Sequence, residues 1–296
     1  MKSTLNRRST GLLFLLPAIV LFAAFVIYPI IYNFQASTLN WDGVNPGKYV
    51  GLNNFVQLFQ DPVFFITIKN SGLWILLTII PQAFLGFLLA IMLNSGIFAS
   101  TIYRAIFFVP AILSPVVVGI VWGRILDPSA GLLAEIAQAT GLSFLNGDYL
   151  SNPNTAIFGV IAVNVWMWTG FSMLFYLSGL QLIDSSVLEA AKIDGASGLQ
   201  ATLRIRLPLL KSTHLSLLLL GIIGSLKTFE LVYVLTQGGP NHASEMLPTY
   251  AFEQAFQQQS VGYASTISVV LLVIAVASSL AMVRVFGSGF ISGDEK

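Results

Sequence analysis

The sequence contains no cysteine and only two histidines, His214 and His242. The first absence excludes disulfides, thiolate zinc sites and cysteine-ligated iron–sulfur clusters. The second argues against a multi-histidine metal site. Charge is scarce as well. Acids and bases make up 9% of the 296 residues, where a soluble domain carries about 25%. So few ionised groups cannot cover a water-facing surface of that size, and hydrophobic residues reach 55%. Lipid is therefore expected to solvate much of the surface. A net charge of +1, with no basic stripe interleaved by aromatics, leaves no footprint for nucleic acid. No phosphate-cradling Gly-x-x-x-x-Gly-Lys-Ser/Thr occurs. Its nearest approach, Gly221 to Lys227-Thr228, has Leu226 before the lysine and lies in an apolar run. There is no His-Glu-x-x-His, no nucleotide fingerprint and no convincing nucleophile–base pair. The chain is thus expected to be neither an enzyme nor a cofactor binder, and any chemical energy it uses must come from another chain.

Long apolar runs are abundant. A crossing helix needs roughly 20 apolar residues, at 1.5 Å rise each, to traverse about 30 Å of hydrocarbon. Six runs qualify: 11–36, 72–94, 105–126, 155–180, 212–236 and 261–286. They predict an all-α polytopic membrane protein with six transmembrane helices in a single domain, 1–296. Pro17, Pro29, Pro81, Pro110 and Pro115 fall inside the runs, where neighbouring helices can satisfy the freed carbonyls. Arg124 lies near the end of the third run and can snorkel to the interface. The first run follows Lys2, Arg7 and Arg8, as a signal peptide would. It is longer than the usual apolar segment of 7–15 residues, however, and no small-residue cleavage site follows, so it reads as a retained helix.

Orientation follows from the Lys/Arg bias. With the N-terminus in the cytoplasm, the inner side receives Lys2, Arg7, Arg8, Arg104, Lys192, Arg204, Arg206, Lys211, Arg284 and Lys296. The outer loops receive only Lys48 and Lys69. Loops 127–154 and 237–260 hold no Lys or Arg but carry Asp127, Glu135, Asp148, Glu245 and Glu253. Both termini are expected inside.

Between the fourth and fifth runs, 181–211 is far longer than a plain bundle connection. Asp184-Ser185-Ser186 offers N-cap oxygens, and Ser186 with Glu189 fits a capping box. Val187, Leu188, Ala190, Ala191 and Ile193 then form a short apolar-faced helix, which Gly195 can end with positive φ. A second stretch, 196–207, sets Leu199, Leu203, Ile205 and Leu207 beside Arg204 and Arg206, and Pro208 is expected to end it. The product is a helical knob whose exposed apolar face reads as a partner surface.

Two features stand inside the runs. Lys227 and Glu230, at i and i+3, each incur at least about 2.5 kcal/mol at mid-membrane. They either pair on one helix face or line a watery path. Asn164, Trp166 and Trp168, with Thr169-Gly170, lie about 10–14 residues into the fourth run, deeper than interfacial tryptophans sit. Aromatic faces beside amides and hydroxyls suit sugar rings. Gly238-Gly239-Pro240-Asn241 reads as a turn.

The run Glu189-Ala190-Ala191-Lys192-Ile193-Asp194-Gly195-Ala196-Ser197, followed by Ile205-Arg206-Leu207-Pro208-Leu209-Leu210, resembles the EAA loop of ABC-importer permeases. Thr202, Ser212 and Asp184 depart from that pattern, where an aromatic and two prolines are common. Other segments resemble the carbohydrate-uptake branch, with its maltose-type and glycerol-phosphate-type permeases. They are Leu16-Pro17 with Tyr28-Pro29; Tyr49-Val50-Gly51-Leu52-Asn53-Asn54-Phe55; Phe107-Phe108-Val109-Pro110 with Ser114-Pro115-Val116; and Phe229-Glu230 through Tyr233, Thr236 and Gly238-Gly239-Pro240.

The resemblance implies a permease subunit of a bacterial inner-membrane importer that moves a sugar, polyol or glycerol phosphate by alternating access. It implies a second homologous permease subunit, two ATPase subunits holding ATP and Mg, and an extracytoplasmic solute-binding protein. It implies a coupling helix in which Glu189, Ala190, Ala191, Asp194, Gly195 and Ala196 meet the ATPase. The plainer reading of Glu189 and Gly195 is as helix caps. It also maps a sugar site onto Trp168, Thr169, Gly170 and Met173, and onto Gly221, Gly224, Ser225 and Thr228. The plainer reading of those glycines is close helix packing. A secondary transporter would show internal repeats, and none is evident between the first and last three runs.

Overall fold

A computed structural model describes residues 7–286, with side chains over 14–284. Lys2, Lys296 and both chain ends, used in the orientation argument, lie outside the described residues. In chain order the helices are α1 (Phe14–Ser37), α2 (Asn53–Leu58), α3 (Pro62–Asn94), α4 (Ser100–Ile112), α5 (Pro115–Ile125), α6 (Leu132–Thr140), α7 (Ala156–Gln181) and α8 (Ser185–Ile193). They continue with α9 (Gly198–Leu209), α10 (Lys211–Leu226), α11 (Glu230–Thr236), α12 (Leu247–Phe252) and α13 (Val261–Phe286). Two-residue strands β1 (Leu39–Asn40) and β2 (Lys48–Tyr49) pair antiparallel, Leu39 opposite Tyr49. Among the described residues, four helices are long and apolar enough to cross a membrane, and two bent pairs, α4–α5 and α9–α10, bring the crossings to six if each pair is one span. The all-α polytopic reading holds.

The chain divides into two compact units. One contains the described residues up to Asp61 together with Ala251–Leu272. Here the ribbon after α1 organises the start of α13. Asn54 donates from Nδ2 to the carbonyls of Ser37 and Leu39, both at 2.9 Å. The Gly262 N–H donates to Trp41 O at 3.0 Å, and Tyr263 Oη donates to Asp61 Oδ2 at 2.6 Å. Asp42 closes the turn between the strands. The Val44 N–H, the Asn45 side chain and the Asn45 N–H hold its carboxyl below the usual range.

The other unit contains Pro62–Tyr250 and the described residues from Val273. Its centre is α7, half of whose apolar window is buried. One end of α7 joins Trp74, Val118, Ile157, Val160, Met167 and Val232 in a core. The other joins Phe87, Ala90, Met173, Tyr176, Leu180, Leu210 and Leu217. Lipid tails are as apolar as leucine, so contact geometry rather than water exclusion selects these pairings. At Gly86 of α3 a Cβ would stand 2.7 Å from the Ser172 Cβ and 2.8 Å from the Met173 nitrogen, so only glycine permits this approach. The expected turn at 238–241 forms with Gly238 at φ +82°. The buried Asn70 fixes the chain beyond it, donating to the carbonyls of Ala243 (3.1 Å) and Glu245 (3.0 Å).

Several local expectations fail. The third run, 105–126, is not one rod: α4 and α5 meet at 97°. Pro115 pushes Ser114 out of the helical region, to ψ 134°. The fifth run, 212–236, breaks after Leu226. The Lys227 and Thr228 N–H groups turn to the carbonyls three residues back, Gly224 and Ser225, and the Thr228 hydroxyl takes Gly224 O as well. That tightening ends the helix before Glu230 opens α11. In 181–211, Asp184 rather than Ser186 caps α8, accepting the Ser186 N–H at 2.9 Å. The capping box is one helix later, where Ser197 and Gln200 satisfy each other's backbone N–H. Pro208 does not end α9. A π turn over Thr202–Arg206 shifts the hydrogen-bond register, and the helix passes Pro208 before bending by 63° at Leu210.

Candidate functional site

Two regions collect the residues singled out above. The first is a cavity of about 350 Å³ inside the larger unit. Helix α3 contributes Trp74, Thr78 and Gln82, α5 its first residue Pro115, and α7 Asn164, Met167, Trp168, Phe171 and Ser172. Helix α10 contributes Gly221, Gly224 and Ser225, the break after it Lys227 and Thr228, and α11 Glu230. The start of α5 and the break between α10 and α11 therefore both lie at this cavity. Opening a helix frees backbone groups, and a polar cavity is where such groups are tolerated at membrane depth.

The walls divide by chemistry. Trp168 and Phe171 form an aromatic corner, ring centroids 5.8 Å apart at 87°. Opposite chemistry comes from an amide pair: Gln82 Nε2 donates to Asn164 Oδ1 at 2.9 Å. Gly221 and Gly224 contribute no side chain, which keeps the α10 wall low. Lys227 and Glu230 are both exposed and, among the described residues, form no ion pair with each other. Of the two readings open for these residues, the ion pair does not form, because the helix that would align them stops between them.

Of the expected path residues, Asn164, Trp168, Gly221, Gly224, Ser225, Lys227, Thr228 and Glu230 converge on the cavity. Thr169, Gly170 and Met173 do not. The Thr169 hydroxyl donates to Val165 O at 2.6 Å within its own helix. Gly170 lies against the Phe107 carbonyl of α4, where a Cβ would overlap it. Met173 is fully buried in the core. Trp166 turns away, edge-on to Trp122 at 5.3 Å. Gln82, Thr78 and Ser172 were missed. The legible signal for Gln82 was an amide beside Pro81 inside an otherwise apolar run, which marks a functional position by default.

The second region is the 181–211 knob. Glu189, Ala190, Asp194 and Gly195 are exposed, Ala196 is half-buried, and Ala191 is buried beneath α8. Gly195 has φ +80°, so it ends the helix as expected and presents bare backbone. Leu182 and Ile193 are nearly fully exposed, at 87% and 86%. Such surface on a helical turn is costly unless something covers it. The knob has a rigid footing. His214 bonds the Tyr176 hydroxyl at 2.9 Å and Leu207 O at 3.0 Å, tying the α9–α10 corner to α7. Leu210 is 1% exposed at that corner. The Ser186 N–H holds the Asp184 carboxyl below its usual range.

A bundle with two broken spans around a polar-aromatic cavity, joined to an apolar-faced knob, defines a membrane transport protein. The chain belongs to the family described as binding-protein-dependent transport system inner membrane component, whose model matches residues 82–286. It is 36% identical to the probable ABC transporter permease protein YurN of Bacillus subtilis, over 94% of this chain and 96% of that one. It is 32% identical to the arabinooligosaccharides transport system permease protein AraP of the same organism, over 96% and 90%. Among solved structures, it matches a chain of a bacterial alginate ABC transporter in complex with an alginate pentasaccharide-bound periplasmic protein. That match has a TM-score of 0.82 at 25% identity, over 96% of each chain. The chain is accordingly a multi-pass inner membrane permease subunit of an ABC transporter and not an enzyme.

Proposed function

We propose that this permease carries a carbohydrate or sugar-like solute into the cell through the cavity between α3, α7, α10 and α11. One observation carries the reading: the cavity combines the Trp168–Phe171 aromatic corner with the Gln82–Asn164 amide pair. A sugar ring offers an apolar face to the first and hydroxyl edges to the second. The naming of AraP for arabinooligosaccharides and the alginate pentasaccharide of the solved importer support the same class.

In this reading the whole chain works as one transmembrane domain with a second, similar permease subunit. Both termini and the 181–211 knob then lie in the cytoplasm, a reading that the Lys/Arg bias supports. There Glu189, Ala190, Ala191, Asp194, Gly195 and Ala196 dock on an ATPase subunit, one of two, which hold the ATP and Mg. An extracytoplasmic solute-binding protein delivers the solute on the other face. The firm footing at His214 and Leu210 passes knob movement to α7 and α10, two walls of the cavity. Alternating access requires the cavity to bind solute differently in its inward- and outward-facing states.

The test is ATP-driven sugar uptake into proteoliposomes containing the full complex. Gly195→Trp should insert normally, yet lose uptake and the coupling of ATP hydrolysis to solute. Undiminished uptake by that variant would remove the docking role of the knob.

A further inference from the structure

Among the described residues, Lys227 and Glu230 are the only ionisable ones lining the cavity. They flank the break between α10 and α11, make no ion pair with each other, and remain exposed. Three residues apart, their Cα atoms lie within about 11 Å of each other, the length of the extended chain. The cavity therefore holds one fixed cation and one fixed anion at close quarters, with zero net charge. The remaining lining is aromatic, aliphatic, amide or hydroxyl.

Resting on the carbohydrate reading above, we infer that Lys227 and Glu230 are specificity-determining residues that sort solutes by charge, admitting neutral sugars and rejecting uronate-bearing and amino sugars. An ionised solute must shed water to enter, and a lone charge out of water is expensive unless it is compensated. A carboxylate near Lys227 is also near Glu230, so attraction and repulsion largely cancel and desolvation stays uncompensated. An ammonium group meets the same cancellation with the roles exchanged. A neutral sugar meets no such penalty. Its hydroxyls both donate and accept, so they can bond the Glu230 carboxylate and the Lys227 ammonium at once, and charge-assisted bonds are the stronger kind. Two opposite charges in the wall thus strengthen binding of neutral solutes and disfavour solutes of either sign.

The test uses the purified complex with its partner subunits and three labelled probes: maltotriose, trigalacturonate and fully deacetylated chitotriose. Wild type should retain maltotriose at least tenfold over either charged probe. Glu230→Gln leaves Lys227 unopposed and should raise trigalacturonate retention about tenfold. Lys227→Gln should do the same for chitotriose. The double variant restores zero net charge and should return to the wild-type order, with weaker maltotriose binding. Equal retention of all three probes by wild type overturns the charge rule while leaving the carbohydrate reading intact. Retention of none by any variant overturns both. If a single variant loses its partner permease subunit and the swap K227E/E230K regains it, the charges belong to a subunit contact and the inference fails.

Discussion

Helices α1 and α7 are unbroken spans of 24 and 26 residues, yet none of the apolar window of α1 is buried and half of that of α7 is. The more buried helix is the less apolar one: mean hydropathy is 2.6 for α1 and 1.6 for α7. In water that order would be reversed. In a bilayer, leucine against lipid and leucine against protein are nearly equivalent, so apolarity selects lipid contact as readily as protein contact. Protein contact is chosen by small residues, which admit close approach, and by polar groups that lipid cannot satisfy. Helix α7 has both, in Gly170, Gly179, Asn164 and Ser172, and it supplies the central wall of the cavity.

Matched substitutions test that contrast. Met173→Ala, in the core around α7, should destabilise the protein by about 2–5 kcal/mol. Phe25→Ala on the exposed α1 should stay within about 0.5 kcal/mol, because lipid refills the space. Thermal denaturation in one detergent, read side by side, measures the difference, and equal losses would erase the distinction. Gly86→Val, at the α3–α7 contact, should lose about 1–3 kcal/mol by overpacking. Asn164→Leu breaks the amide pair with Gln82 and should lower stability by only about 0.6–2 kcal/mol while sharply reducing uptake. The informative readout there is the ratio of uptake lost to stability lost.

The smallest effect lies outside the membrane, where water and pH matter. Asp184 has a folded-state pKa below the ordinary carboxylate value because its ionised form accepts the Ser186 N–H. Its capping contribution is therefore present above the unfolded value and is lost as pH falls through the lowered folded one. Amide exchange in the first turn of α8 should accelerate only below about pH 4. Asp184→Ala should exchange faster at every pH, with no further acceleration on acidification.

The 181–211 loop was the most legible part of the chain, since caps, Gly195 and the EAA spacing are local signals read one turn at a time. Even there, local rules misplaced the capping box, because Ser197 and Gln200 met the same rule as Ser186 and Glu189, and only the backbone path chose between them. The cavity was half legible. Lys227, Glu230 and Asn164 stood out as polar groups in apolar runs, and so should Gln82 have done. Met173 and Thr169, carried over with their neighbours, fell on other faces of α7, since adjacent residues on a helix are about 100° apart.

Composition and hydropathy alone determined that the chain is helical and spans a membrane, because too few charges exist to face water. The runs 11–36, 72–94, 155–180 and 261–286 overlap the four unbroken apolar helices, whereas the runs 105–126 and 212–236 fall on helices that break. Tertiary structure alone decided where the third and fifth runs break, which of several small residues meet another helix, and that Lys227 and Glu230 face a cavity instead of each other. The physical reason is that lipid and protein interior are equally apolar solvents. Hydropathy can say that a segment leaves water, but only the fit of one helix against another says which side of it meets protein.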